Sequence, residues 1–151
     1  MTRHTLRPAT PGDYDAIAAV VDAWWGRPIL ASLPRLFLDH FHRTSLIATS
    51  ASGAMAGFLI GFLSPSAPRE AYIHFVGVSP EARGTGVARE LYEEFFGMAR
   101  EHGRHVVKAI TSPVNEASVA FHRRMGFTVN GPVPGYNGPG TTLLTFERAL
   151  T

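Results

Sequence analysis

The chain has 151 residues, 45% of them hydrophobic, and 14 Lys and Arg against 12 Asp and Glu give a net charge of +2. A chain of that length buries one ordinary core and is too short for two domains with separate cores, so a single domain over 1–151 is expected. The absence of cysteine excludes disulfides, thiolate metal sites and an acyl-cysteine mechanism, and the lack of a Lys/Arg run or a nucleic-acid motif argues against a long nucleic acid.

Arginine is locally dense at Arg83, Arg89, Arg100, Arg104, Arg123 and Arg124, which suits a small polyanion better. The apolar run 58–63 contains glycine and falls far short of the roughly 20 residues that cross a bilayer. The N-terminal segment MTRHTLRPATPGDYD has no apolar stretch of the signal-peptide kind. A soluble, cytoplasmic protein is therefore expected.

In chain order, residues 5–7 read as a short strand. A helix follows to about Trp24, opened by Thr10-Pro11-Gly12-Asp13, which offers a capping hydroxyl, a proline at the first helical position and an early acid. Ile17, Val20, Val21 and Trp24 form its apolar face. A second helical pattern runs over 33–41, with Leu33, Phe37 and Phe41 on one side. Residues 46–49 and 55–63 read as strands joined through Ser50-Ala51-Ser52-Gly53 into a hairpin. Residues 71–78 read as a buried strand ended by Ser79-Pro80, and Gly77 within it marks a bulge or a close approach of another backbone.

The next helix is expected from near Thr85 to before Gly103, with Val87, Leu91, Phe95 and Met98 on one face and Ala88 and Tyr92 widening it. Residues 106–110 form a further strand. Asn115 opens a helix over 116–125 that Gly126 stops, and two strands follow near 127–129 and 143–147. The order β-α-α-β-β-β-α-β-α-β-β implies an α/β (α+β) fold, a mixed sheet of about seven strands with about four helices on its faces.

The segment with the most chemistry in it is the strand, turn and helix from Tyr72 to Ala88. Small residues at Gly84, Gly86 and Ala88 let backbone N–H groups approach a ligand where the helix dipole favours negative charge, which describes a pyrophosphate site. A dinucleotide fingerprint needs a third small residue where Arg89 stands, and a P-loop needs Gly-Lys-Ser/Thr at the start of the helix; neither is present. A tight turn that simply leads into a helix is the plainer alternative.

Val78-Ser79-Pro80-Glu81-Ala82-Arg83-Gly84-Thr85-Gly86-Val87-Ala88 resembles the central CoA motif of the GCN5-related N-acetyltransferase (GNAT) family, with the Gln/Arg-x-x-Gly-x-Gly/Ala core at Arg83, Gly86 and Ala88. The segment from Asn115 to Gly126-Phe127 resembles the family's later Asn-to-Gly-Phe segment at its expected spacing. The resemblance is close over residues 71–127 and looser in the order of the remaining elements. It implies a sheet splayed between two strands with acetyl-CoA, the acetyl donor, in the opening. Main-chain groups of Val76 and Val78 would bind pantetheine, the N–H groups of Arg83, Gly84, Thr85, Gly86, Val87 and Ala88 the pyrophosphate, and Asn115 and Ser118 would lie beside the pantetheine arm. Read without the family, Asn115 is an ordinary helix cap, and it can serve both purposes.

The chain departs from the family at His122, where tyrosine is usual and protonates the departing thiolate. An imidazolium can do the same, yet a thiolate of pKa about 8.5 leaves tolerably without help, and a packing role for His122 stays open. His74 is the better candidate for general base. An amine of pKa about 10 is protonated at neutral pH and must lose its proton before it attacks a thioester. The strand before the glycine turn resembles that of the aralkylamine acetyltransferases of the family, with His74 on one of their strand histidines and Tyr72 in place of the other. Strand alternation puts Tyr72, His74 and Val76 on one face; a core histidine satisfied by hydrogen bonds is the alternative.

Trp24, Trp25, Phe37 and Phe41 either line an acceptor pocket or belong to the core, and the glycine-rich stretch holding Tyr136 either covers the acceptor or joins two strands. The pairs His40/His42 and His102/His105 make no convincing metal site, so no metal is expected. The expected activity is N-acetyl transfer from acetyl-CoA to a small primary amine by direct attack in a ternary complex, where proximity supplies an effective molarity of about 10⁵ M or more. Its expected partners are that amine and neither nucleic acid nor membrane, with a homodimer allowed. A non-catalytic acyl-CoA sensor, an acetyltransferase for protein or peptide amines and a nucleotide-binding regulatory module are the rival readings.

Overall fold

The computed structural model describes residues 4–150. Among these residues seven strands and four α-helices follow in the order β1 (His4–Pro8), α1 (Tyr14–Trp25), α2 (Leu36–Phe41), β2 (Leu46–Ser50), β3 (Met55–Leu63), β4 (Glu70–Val78), α3 (Val87–Glu101), β5 (Val106–Thr111), α4 (Glu116–Arg124), β6 (Thr128–Pro134) and β7 (Thr142–Ala149). The sheet runs β1-β2-β3-β4-β5-β7-β6. It is mixed, because β4 and β5 are parallel while β1–β2, β2–β3, β5–β7 and β7–β6 are antiparallel. Parallel neighbours need a long crossover, and α3 provides it. The β4–β5 ladder pairs only Glu70, Ala71 and Tyr72 with Val106, Val107 and Lys108. Among the described residues no helix is long and apolar enough to cross a membrane.

Contacts divide the chain into two units, Met1–Phe62 with Ile73–Met98, and Leu63–Tyr72 with Ala99–Thr151. In the first, Ile17 and Val21 of α1, Leu33, Leu38 of α2 and the strand residues Ile47, Phe58, Ile60 and Phe75 form one buried cluster. The periodicity of α3 is realised in the burial of Val87, Leu91, Tyr92, Phe95 and Phe96. β4 alternates as a strand with one covered face should: Ala71, Ile73, Phe75 and Gly77 are buried and Tyr72, His74, Val76 and Val78 half-buried. Gly77 marks a close approach, since a Cβ there would stand 2.4 Å from Cε2 of Phe58.

Two helices begin later than their sequence patterns. The pattern over 33–41 yields a helix only from Leu36, because Leu33 precedes Pro34, a position driven out of the helical region, and sits at φ −132°, ψ 71°. The next helix starts at Val87 rather than near Thr85, because Gly84 and Gly86 take φ of +79° and +86°, which a right-handed helix does not admit.

In the second unit β7 lies between β5 and β6, with Phe146 opposite Ala109 on one side and Val129 on the other. Phe127 falls before β6 rather than within it: its N–H donates to the carbonyl of His122, and Gly126 closes α4 at φ +90°. Nη1 of Arg104 donates to the carbonyls of Ser64, Ala67 and Glu70 at 2.9, 3.2 and 3.2 Å, fixing the segment that leads into β4.

Candidate functional site

His74 stands in the middle of β4. Its Nε2 lies 2.7 Å from the carbonyl oxygen of Ser32, and its ring stacks on Phe37 of α2 at 4.0 Å and 5°. A carbonyl only accepts, so Nε2 carries a proton and Nδ1 is the nitrogen with a lone pair in the neutral ring. Burial pushes the His74 pKa below its ordinary 6.5, opposed by the bond to Ser32. At neutral pH the ring is thus an uncharged imidazole with one basic nitrogen, held in orientation from both edge and face. The sequence offered no signal for Ser32, whose contribution comes from its main chain.

The turn after β4 is anchored at both ends. Ser79 N–H donates to the Ala56 carbonyl at 2.9 Å, and Ser79 Oγ accepts from the N–H of Glu81. Beyond it, Nη2 of Arg83 donates to the carbonyl of Trp24 at 2.7 Å, near the C-terminus of α1. The Arg83 side chain is therefore engaged with a helix end, and its backbone position is what opens the turn. A Cβ placed at Gly84 or Gly86 would meet no atom within 4 Å, so the turn borders open space while its φ values exclude ordinary side chains. The first hydrogen bond of α3 runs from Glu90 N–H to the Gly86 carbonyl. The N–H groups of the first turn, which include Val87 and Ala88, have no intrahelical partner. This combination of orphan donors, helix dipole and room suits a pyrophosphate. Val76 and Val78 lie just before it on β4, past the end of the β4–β5 ladder at Tyr72.

The four aromatic residues of the helical segments all pack in this same unit. Trp24 stacks near Phe58 at 6.0 Å, Trp25 lies 4.7 Å from Phe75, Phe37 lies 5.9 Å from Phe41, and Phe41 lies 4.7 Å from Phe62. All four are half-buried, and Trp24, Trp25 and Phe37 pack against the buried cluster. Asp22 accepts from the N–H groups of Ile29 and Leu30 at 2.8 and 2.9 Å, which commits that carboxylate to shaping the segment between α1 and α2.

The remaining site candidates belong to the second unit. Asn115 caps α4 by accepting from Ser118 N–H at 3.2 Å, while its Nδ2 donates to Thr111 Oγ1 at 3.3 Å. His122 is buried, with Nδ1 at 2.8 Å from the Ser118 carbonyl and 3.3 Å from Ser118 Oγ. Its ring stacks on Phe146 at 4.0 Å and 8°, with Phe127 edge-on at 5.0 Å. Burial lowers its pKa below 6.5. Tyr72 is pushed up to about 12 by burial, with a smaller contribution from Tyr136. Tyr136 itself is 48% exposed on the connection between β6 and β7. Among the described residues no group of three or more His, Asp or Glu side chains is placed to hold a metal ion.

The chain is 35% identical over 136 residues to a mycothiol acetyltransferase of Pseudarthrobacter chlorophenolicus, covering 82% of this chain and 42% of that one, so it spans less than half of that relative. It is 30% identical over 125 residues to the L-methionine sulfoximine/L-methionine sulfone acetyltransferase of Pseudomonas paraeruginosa, covering 80% and 73%. The structure of yncA from Salmonella typhimurium, solved with its cofactor acetyl-CoA, superposes with a TM-score of 0.75 over 99% of this chain and 95% of that one, and at 22% identity shows the shared fold. Residues 7–127 match the acetyltransferase (GNAT) family, and the chain belongs to that family.

Proposed function

We propose that the chain is an acetyl-CoA-dependent N-acetyltransferase that acetylates a small primary amine by direct attack in a ternary complex. The observation that carries this reading is the pairing, within one unit, of an open glycine turn at a helix N-terminus with an uncharged, oriented histidine on the strand that leads into it. Acetyl-CoA supplies the acetyl group as a thioester. The N–H groups at residues 83–88 hold its pyrophosphate, and the main chain of Val76 and Val78 aligns the pantetheine arm. Nδ1 of His74, directly or through a water, takes the proton that frees the amine lone pair; the amine nitrogen then bonds to the carbonyl carbon, the carbon–sulfur bond breaks, and the second amine proton passes to solvent as the amide forms. The thiolate leaves without a dedicated acid, as its pKa of about 8.5 allows. His122, neutral and stacked within an aromatic cluster, then packs α4 rather than donating a proton.

The acceptor in this reading is a monoamine or an amino-acid-like compound with an apolar or aromatic body. Trp24, Trp25, Phe37 and Phe41, all half-buried, offer apolar surface for that body. Carboxylates suited to a polycation are scarce, with Asp22 already bound to the main chain. The methionine sulfoximine acetyltransferase among the relatives acts on an acceptor of amino-acid type, in keeping with this class.

Calorimetry with CoA tests the cofactor site. Gly86→Asp puts a charged side chain where φ is +86° and where the phosphates would lie, so CoA affinity should fall by at least tenfold. Unchanged affinity in a folded Gly86→Asp protein puts the pyrophosphate elsewhere.

A further inference from the structure

We propose that His4 is a positioning residue for the cofactor turn, acting through Thr85. This inference rests on the reading that residues 83–88 hold the pyrophosphate. His4 begins β1, yet it is only 9% exposed, and its two ring nitrogens reach two different parts of the turn-and-helix segment. Nδ1 lies 2.8 Å from Oε2 of Glu90 on α3. Nε2 lies 3.3 Å from Oγ1 of Thr85.

The Glu90 carboxylate only accepts, so Nδ1 of His4 carries a proton and donates to it. Nε2 faces the Thr85 hydroxyl, and the same hydroxyl reaches the carbonyl of Ala82.

The location gives this bond its consequence. Thr85 stands between Gly84 and Gly86, both in the left-handed region. It carries the only side chain in that three-residue stretch, and its flanks have the largest backbone freedom of any residue type. The hydroxyl thus fixes the N–H directions of the turn from one side, while His4 and Glu90 tie that hydroxyl to the first turns of α3. A turn held in its binding conformation before the ligand arrives loses less entropy on binding. Removal of His4 leaves the fold of α3 intact in this account and lets the turn sample conformations that do not bind.

The readout that separates positioning from general stability is a ratio of affinities. Calorimetry on the full chain gives dissociation constants for CoA and for acetyl-pantetheine, which has no pyrophosphate. The wild-type preference for CoA should fall about tenfold in His4→Ala, the scale of one charge-assisted hydrogen bond. Thr85→Val, which keeps the shape and removes the hydroxyl together with its bond to Ala82, should give at least the same fall, and it preserves the test if His4→Ala does not fold. The double variant should fall no further than Thr85→Val alone, because His4 acts only through that hydroxyl. A ratio unchanged from wild type in either folded single variant, or a double variant whose loss is the product of the two, overturns the positioning role. A wild type with no preference for CoA overturns the pyrophosphate reading of the turn itself, a result distinct from the first two.

Discussion

Gly77→Ala probes the link between the core and the site. A Cβ at this position falls 2.4 Å from Cε2 and 2.6 Å from Cζ of Phe58, against about 3.4 Å for the near edge of ordinary contact, so ring or strand must yield by about 1 Å. Phe58 has little room to do so: it is fully buried and lies between Phe75 and Trp24, each at 6.0 Å. Overpacking of this kind costs about 1–3 kcal/mol, which for a domain near 150 residues lowers the melting temperature by roughly 3–10 °C. Thermal and urea unfolding measure the loss. Phe58→Leu removes the obstructing ring edge, so the double variant should be less destabilised than the sum of the singles by about 0.5–2 kcal/mol. A displaced β4 also moves the main chain of Val76 and Val78, so the KM for acetyl-CoA should rise along with the instability. A Gly77→Ala protein that melts within about a degree of wild type and couples to nothing at Phe58 would falsify this packing account.

Replacement of His74 by Ala should lower kcat by about 100-fold or more while CoA affinity stays within about twofold, and it should remove the acidic limb of the rate profile; because burial holds the His74 pKa under 6.5, that limb lies below pH 6.5. An unchanged profile at normal rate would assign the ring to packing. His122→Phe should keep kcat within about twofold, and a large fall in kcat would restore the general-acid role. The same variant tests linkage: the folded-state pKa of His122 is depressed below 6.5 by burial, so the unfolded chain takes up the proton first and stability is lost as pH falls from about 6.5 toward the folded value. His122→Phe should flatten that part of the stability profile, measured by urea midpoints between pH 7 and pH 5, and an identical slope in both proteins contradicts the sign.

Much of the fold can be read in the sequence because its signals are local. The apolar face of α3, the alternation of β4 and the hairpin between β2 and β3 are periodic patterns within single elements. The exceptions have local causes that compete with periodicity: Leu33 before Pro34 delays α2, and the left-handed glycines delay α3. The glycine turn was legible for the same reason, as a run of small residues at a strand-to-helix junction. The partners of the site were not. Ser32 reaches His74 through a carbonyl that every residue possesses, and His4 meets Thr85 and Glu90 across more than 80 positions of chain, a distance at which composition and spacing carry no information. The engagement of the Arg83 guanidinium with the Trp24 carbonyl at the end of α1 was equally hidden.

Turnover of an amine panel with acetyl-CoA, followed by free thiol released and by mass spectrometry of the acetylated product, tests the central claim most directly. Because the chain has no cysteine, a thiol reagent reports CoA with no background from the protein. The panel needs arylalkylamines, apolar amino acids, spermidine and a lysine-rich peptide, with calorimetry confirming that CoA binds under the same conditions. The account predicts thiol release matched mole for mole by N-acetylated product with the monoamines or amino acids, and little with the polycations. Efficient turnover of spermidine or the peptide alone contradicts the proposed acceptor class, and CoA binding with no thiol released from any amine contradicts catalysis and leaves an acyl-CoA sensor.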